Sequence, residues 1–520
     1  MFKHIQLTVK NIIWVYFFIF AAASSLFGQW ASDSINTIIC NEQSDQTSPS
    51  ITTDGAGGAI IAWRDNRTKD YDIYAQRINA DGNILWTSTG VPVCTDTNNQ
   101  DYPMLTSDGQ GGAIIIWEDG RHHYNSINIF DLYAQRINAN GKLLWAGGGV
   151  PVCTDSSDMG YQSITSDGSG GAIFVRTGFR NDSNRIYVQR INSNGNKMWG
   201  ADGRQICSEL STPLETQITG DGSHGAIITW TDTRNLIGQV CVQRIDANGN
   251  PLWQANGIAI CQYHSIYSSI ASDGQGGAFI TWADNRNNNT SNWNIYAQRI
   301  NGNGKTLWTQ DGIPICTDTS EQLDNQITSF GNGAIITWDD GRNGNLNYDI
   351  YAQRIDSGGA TLWAKDGNIV CDEKANQDLP QITYGGNGGA IIAWEDQRNY
   401  GFNSNDIYAQ YISGDGSIPA KYLNVSNQNA AAPGKFQLNQ NYPNPFNPST
   451  TIQYQIPKSG MVIIKVYDVL GREVKTLVNQ YQQNGKYDIK FDGSNFPSGI
   501  YYYRMQIGNF SETKKLILLK

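Results

Sequence analysis

Short runs of β-branched and aromatic residues, separated by Gly-, Asn- and Asp-rich stretches, occupy the chain from Gln29 onward, and no helical period intervenes. The runs repeat. One copy reads Ser107-Asp-Gly-Gln-Gly-Gly-Ala-Ile-Ile-Ile-Trp117-Glu-Asp119-Gly-Arg121, then Leu132-Tyr-Ala-Gln-Arg-Ile137, then Asn140-Gly141-Lys-Leu-Leu-Trp145, and ends at Val152-Cys153. Its first Trp recurs at Trp63, Trp117, Trp230, Trp282, Trp338 and Trp394, with Arg176 in its place in the third copy, which gives seven units of about 52 to 59 residues. That period is longer than a helical solenoid repeat and close to a propeller blade.

Each unit predicts four antiparallel strands. A short run such as Ser163-Ile-Thr leads through an Asp-Gly turn into the strand that ends at the Trp, and Asp-Gly is a preferred hairpin pair because both residues accept positive φ. Tyr-Ala-Gln-Arg-Ile forms the third strand, and a second turn, at Asp81-Gly82, Asn140-Gly141, Asn194-Gly195, Asn248-Gly249 or Asn303-Gly304, sends the chain into a Leu-Trp…Cys strand. The seventh unit lacks that last strand. Trp30 followed by Ile38-Ile-Cys40 matches Trp86 followed by Val91-Pro-Val-Cys94, so the N-terminal segment supplies it. A closed ring gains from such a split unit, since two strand edges are hidden, whereas an open solenoid gains nothing. The reading is all-β: a seven-bladed β-propeller over residues 29–412, its last blade closed by an N-terminal strand.

The two ends differ from the repeat. Lys3 and Lys10, an apolar run from Ile12 to Ala23, and the small residues Ser24, Ser25 and Gly28 compose a secretory signal over residues 1–28, with an apolar run shorter than a spanning helix needs. Residues 413–435 have the Gly/Ser/Asn/Ala/Pro character of a linker. Residues 436–520 follow, with Tyr442-Pro443-Asn444-Pro445-Phe446-Asn447-Pro448, Val466-Tyr-Asp-Val-Leu-Gly471-Arg, Pro497-Ser-Gly499-Ile-Tyr-Tyr-Tyr-Arg504 and a last stretch that carries Lys514 and Lys515. In content and order these blocks resemble the type A C-terminal sorting domain of the type IX secretion system. The resemblance implies an Ig-like β-sandwich, recognition by the type IX secretion machinery, and export through the periplasm and outer membrane to the cell surface or the extracellular space. Alternating runs with turns at Gly460, Gly471 and Gly499 agree with a small sandwich, and the three prolines keep the Tyr442–Pro448 segment out of any central strand.

Composition narrows the partners. Charged residues make up 16% of the chain and the net charge is −10, with no concentrated basic face, which disfavours nucleic acid and anionic membrane surfaces. Eight cysteines in an exported chain suggest disulfides, but Cys40, Cys94, Cys153, Cys207, Cys261, Cys316 and Cys371 hold one position in seven blades, a blade-width apart. They are expected as buried packing residues and not as bridges or a shared metal site. Cys241, which replaces the Tyr of the third strand, is the one thiol outside the pattern.

Residues present in every blade are expected to serve the blade. On that ground the Asp65/Arg67, Asp119/Arg121, Asp232/Arg234, Asp284/Arg286, Asp340/Arg342 and Asp396/Arg398 pairs, like the Gln76-Arg77 and Gln298-Arg299 pairs, are read as structural. The Asp-Gly-x-Gly-Gly turns offer one carboxylate each, too few for calcium, and no helix follows them to cradle a phosphate. No metal or cofactor is expected. A sialidase-like box fits poorly, because Asp and Gly are adjacent here and the Trp lies nine residues past the Asp. The candidates that remain are aromatics and histidines in the loops between second and third strands: His122, His123, Tyr124 and Phe130 in blade 2, Trp293 in blade 5, and Tyr400 and Phe402 in blade 7. Aromatics among Asn and Gly suit stacking on sugars or contact with protein. The functional expectation is a non-catalytic binding or structural module for polysaccharide or protein; the alternative is a secreted glycan-acting hydrolase, for which no residue set singles out a catalytic pair.

Overall fold

The computed structural model describes residue 30, residues 36–418 and residues 435–519, apart from 123–129, 155–158, 181–182, 202, 208–213, 235–237, 287–291, 345–346, 399–404, 459, 483–484, 495 and 509. The predicted signal lies outside the described residues. The chain divides into two compact units, Met1–Ala420 and Lys421–Lys520. The described residues are strands and turns throughout, with no helix.

The first unit holds seven four-stranded antiparallel sheets, six of them built from consecutive strands. Blade 2 is typical: Gln100–Ser107, Ala113–Asp119, Asp131–Ile137 and Val150–Cys153 pair in that order. The second strand is buried at every position, because neighbouring blades cover both of its faces, so its Ala-Ile-Ile-Ile-Trp run does not alternate. Hydrophobic clusters accordingly lie between blades. One joins Ile60, Ile73 and Val93 of blade 1 to Ile115, Trp117 and Tyr133 of blade 2.

Ring closure is explicit. Thr37–Cys40 pairs with Asp406–Ile412 as the outer strand of blade 7. The first strands of neighbouring blades lie against one another all the way round, including Gln377–Tyr384 of blade 7 against Gln46–Thr53 of blade 1. Trp30 is buried, stacks 6.1 Å from the Tyr411 ring and donates its Nε1–H to Ala80 O at 2.9 Å. It thus does for blade 7 what Trp86 does for blade 1, whose Nε1–H reaches Ala139 O in the next blade at 3.1 Å.

Two polar latches recur at the blade interfaces. In the first, Asp119 accepts Trp117 Nε1–H at 2.7 Å and holds Arg121 through both carboxylate oxygens, at 2.7 and 2.6 Å. Arg121 lies 4.0 Å from the Tyr133 ring centre and reaches back to blade 1, to Cys94 Sγ at 3.3 Å. In the second, Asp54 closes its own turn by accepting Ala56 N–H and Gly58 N–H, while its other oxygen holds Arg77, which donates onward to Ala139 O of blade 2. The repeated Asp, Arg and Gln are therefore interior and engaged. All eight cysteines are buried and none forms a disulfide; burial pushes the thiols of Cys40, Cys94, Cys241, Cys316 and Cys371 up to about 12.

Turn chemistry departs from the two-residue expectation. Only Gly82 of the Asp81-Gly82 pair takes positive φ, and the loop is closed by Asn79, whose Oδ1 accepts Asp81 N–H and Asn83 N–H. The Leu-Trp segment is not part of the outer strand, which begins at Val91 in blade 1. Gly90 lies between them with φ of +83°, and a Cβ there would meet Trp63 at 2.5 Å, so the buried Trp dictates glycine. The repeat also runs on past Ile412: Ser413 N–H bonds Ser417 O, closing the same loop, and Trp363 of blade 6 docks on Gly414 O.

The second unit packs the sheet Gln437–Leu438, Ser449–Ile456 and Gly485–Asp492 and the sheet of Glu473–Gln482, Gly460–Tyr467, Gly499–Ile507 and Phe510–Leu518 around one core of residues such as Ile452, Phe491, Val466, Tyr503 and Leu516.

Candidate functional site

Antiparallel geometry puts the start of each first strand, the end of each second strand and the loop that follows it at the same end of the blade. There, all seven first strands carry a bulge. The register slips between Thr47 and Ser50, Asp101 and Met104, Gly160 and Ser163, Leu214 and Gln217, Ile266 and Ser269, Leu323 and Gln326, and Asp378 and Gln381. One residue inside each slip takes positive φ: Ser48, Tyr102, Tyr161, Glu215, Tyr267, Asp324 and Leu379. The ring of first strands thus carries seven bulged residues at one end, its mouth, held in a conformation that costs non-glycine residues about 1–3 kcal/mol each. Unlike the latches, this ring differs in every blade but the three that carry tyrosine. Tyr102, Tyr161 and Tyr267 are 53%, 49% and 37% exposed.

Polar contacts fix the bulges. Glu395 of blade 7 accepts Ser48 N–H of blade 1 at 2.6 Å and Asn405 Nδ2–H at 2.9 Å. Glu215 of blade 4 accepts Tyr267 N–H of blade 5 and Thr231 Oγ1–H. Asp339 accepts Leu323 N–H at 3.1 Å within blade 6. Cross-blade amides and hydroxyls hold the tyrosine carbonyls: Gln162 donates to Tyr102 O, Thr216 to Tyr161 O and Asn325 to Tyr267 O. Arg64 also lies at this end, bonded to Asp101 at 2.9 Å and to Thr47, with its guanidinium 5.5 Å from the Tyr102 ring centre.

Burial raises the acids. Glu395 is pushed up to about 7 by burial and then by Asp378, and Asp378 to about 6 by burial and then by Asp324. Asp339 is held well above the carboxylate range by burial and by Asp324, to which it is hydrogen-bonded. Burial also raises Glu215, while burial and then Asp324 and Glu215 push Tyr267 up to about 12.

The candidates read from the loops share this end but are not part of the bulges. His122 Nδ1 is 2.8 Å from Asp131 Oδ2, and its ring leans on Tyr133 of its own blade. Phe130 is half-buried. Trp293 packs edge-on against His264 at 5.0 Å and joins the cluster between blades 5 and 6. His123, Tyr124, Tyr400 and Phe402 lie outside the described residues. His122 and Trp293 rest against their blades, whereas Tyr102, Tyr161 and Tyr267 stand exposed on first strands. The signal that finds them is the alignment of Ser48, Tyr102, Tyr161, Glu215, Tyr267, Asp324 and Leu379 at one position of the repeat, where its consensus fails.

In the second unit the Tyr442–Pro448 segment borders the last strand. Asn444 Oδ1 accepts Ile517 N–H, Phe446 N–H bonds Ile517 O, and Phe446 O accepts Leu519 N–H, each at 2.9 Å. Asn444 Nδ2 also reaches Lys515 O, and Lys514 pairs with Glu512 at 2.8 Å. Phe446 is buried against Phe491, while Tyr442 is 82% exposed and Pro443, Pro445, Asn447 and Pro448 face solvent. Gly471 closes an exposed turn at φ of +76°, and Gly499 opens the strand that pairs with Leu518.

Residues 440–519 match the family described as the secretion system C-terminal sorting domain, so this tail marks the chain for type IX export to the cell surface or the extracellular space. No curated protein matches the chain. Among solved structures it is similar to a protein of unknown function from Dyadobacter fermentans, with 10% identity over 73% of this chain and 98% of that one and a TM-score of 0.41. It is also similar to the polysaccharide lyase Uly1, with 10% identity over 74% and 90% and a TM-score of 0.44, and to an α-L-arabinanase of Penicillium chrysogenum, with 12% identity over 61% and 94% and a TM-score of 0.38. Likeness at this level says nothing of what this chain binds.

Proposed function

We propose that the exported propeller is a non-catalytic carbohydrate-binding module whose ligand lies across the mouth on Tyr102, Tyr161 and Tyr267. The observation that carries this reading is the exposure of these three rings at a bulge position whose residue type differs among the blades. Tyrosine suits the task, offering a stacking face and a hydroxyl at small entropic cost. Glu395, Glu215 and Asp339 support binding over catalysis, because each is engaged by a backbone N–H that shapes the ring. Binding to a glycan panel without release of reducing ends, lost in the Tyr102→Ala/Tyr161→Ala/Tyr267→Ala variant at unchanged melting temperature, is the expected result.

One observation favours the hydrolase alternative. Asp324 and Asp339 are hydrogen-bonded, and both are raised by burial, as a proton-holding carboxyl pair would be. Turnover of any glycan that disappears in Asp339→Asn would replace the binding reading with this one. Engagement of the type IX machinery by the tail has a separate test: a chain ending at Lys435 is expected to stay inside the cell, and its appearance in the medium would remove the tail from the export route.

A further inference from the structure

Among the described residues Glu215, Asp324, Asp339 and Asp378 have no cationic partner, and Arg64 is already engaged by Asp101. The acids are not scattered. Glu215 accepts Tyr267 N–H, its neighbour Thr216 donates to Tyr161 O, and Asn325, next to Asp324, donates to Tyr267 O. Thus two exposed tyrosine rings share their surroundings with acidic side chains that have no cationic partner among the described residues. Beside Asp324, Asn325 is fully buried, and its Oδ1 accepts no hydrogen bond from the described residues.

Ring faces carry negative quadrupole charge, and carboxylates beside them complete the surroundings that an ammonium group seeks. A neutral sugar would use the rings and leave the acids uncompensated. A peptide would need an apolar pocket for an anchor, and between the tyrosines stand Glu215, Asp324, Leu379 and Ser48, of which only the exposed Leu379 is apolar. Resting on the carbohydrate-binding reading, we infer that the mouth ring takes a glycan bearing free amino groups, with an ammonium seated among Tyr161, Glu215, Tyr267 and Asp324.

The test compares hexamers of N-acetylglucosamine, of glucosamine and of N-trimethylglucosamine, titrated into the secreted protein by calorimetry. The charge is the variable, and the permanently charged trimethyl form removes any dependence on amine titration. The two cationic hexamers are expected to bind about tenfold tighter than the acetylated one, as a desolvated cation–π contact supported by carboxylates allows. Glu215→Gln/Asp324→Asn is expected to erase that advantage, while Tyr161→Ala weakens all three ligands. Melting curves identify a variant that has lost its fold, and the ligand series decides the question without any variant. Equal affinity for the acetylated and cationic hexamers, still dependent on the tyrosines, overturns the ammonium site and leaves the carbohydrate reading intact. Tighter tyrosine-dependent binding of an oligolysine peptide than of the glucosamine hexamer overturns it in favour of a protein partner. Absence of binding to every glycan overturns both readings.

Discussion

The blade latches and the mouth ring use the same residue types, Asp, Glu, Arg and Tyr, at opposite degrees of repetition. In the latches Asp65, Asp119, Asp284, Asp340 and Asp396 each hold an Arg two residues on and a Trp Nε1–H, with almost the same distances. In the ring no such constancy exists: Ser48, Glu215, Asp324 and Leu379 share one backbone conformation with three tyrosines. A charged group that recurs with its partners fills an interface; one that changes while its backbone stays constant is available for a ligand. Blade 3 marks the boundary of that rule. It carries Arg176 for the Trp and Gly178 for the Asp, and keeps the bulge with Tyr161 all the same.

The sharpest way to break the comparison is to remove one latch. Asp119→Ala leaves Arg121 without its carboxylate and Trp117 Nε1–H without an acceptor, both inside the ring, and is expected to cost about 3–5 kcal/mol in denaturant unfolding. A loss below about 1 kcal/mol would mean that these groups are decorative and would dissolve the distinction from the mouth. Next in size is the closure. Trp30→Ala removes a buried ring and its bond to Ala80 O, at an expected cost of about 3 kcal/mol, and hydrogen exchange should then show faster exchange of Asp406–Ile412, the strand paired to the N-terminal segment.

A smaller effect separates the acids of the ring from those of the latches. Glu395 is raised from 4.5 to about 7, so the folded state holds its proton where the unfolded chain has lost it. Its contribution to stability is full below pH 4.5 and is lost as pH rises toward 7. Glu395→Gln keeps an acceptor for Ser48 N–H without the charge, so the wild type should lose about 2–3 kcal/mol more than the variant between pH 4.5 and pH 7.5. Identical pH profiles would show that Glu395 ionises freely and that the mouth does not hold carboxyls against their charge.

The seven units, the split last blade and the sorting tail were legible because each is written as a linear pattern: a recurring Trp, a Trp30…Cys40 echo of Trp86…Cys94, and ordered blocks from Tyr442 to Lys515. The mouth was not, for a physical reason. A bulge is a slip in pairing register, and neither Tyr102 nor Leu379 announces a left-handed backbone as Gly or Asn would. Closure of the ring then brings residues far apart in sequence together, such as Ser48 with Glu395, and no spacing rule anticipates that pair. The loops drew attention because their lengths vary, yet His122 and Trp293 use their rings to cover their own blades.

The smallest expected effect is the most demanding of the comparison. If the ring tyrosines serve a ligand, the fold should hardly notice their removal, even though each sits on strained backbone. Tyr102 illustrates the balance. Truncation to Ala forfeits an exposed ring and its contact with Arg64, while Arg64 keeps Asp101 and Thr47, and Gln162 keeps the carbonyl of residue 102. Tyr102→Ala should therefore change stability by less than about 0.5 kcal/mol. Tyr102→Gly should stabilise slightly by relieving the left-handed conformation. A gain with glycine, together with loss of glycan binding, means that the chain tolerates strain at the mouth for the sake of a side chain that the fold does not need. A large loss with alanine would instead make the tyrosine a structural part of the ring, and the distinction between copied and varied polar residues would fail at the site where it matters most.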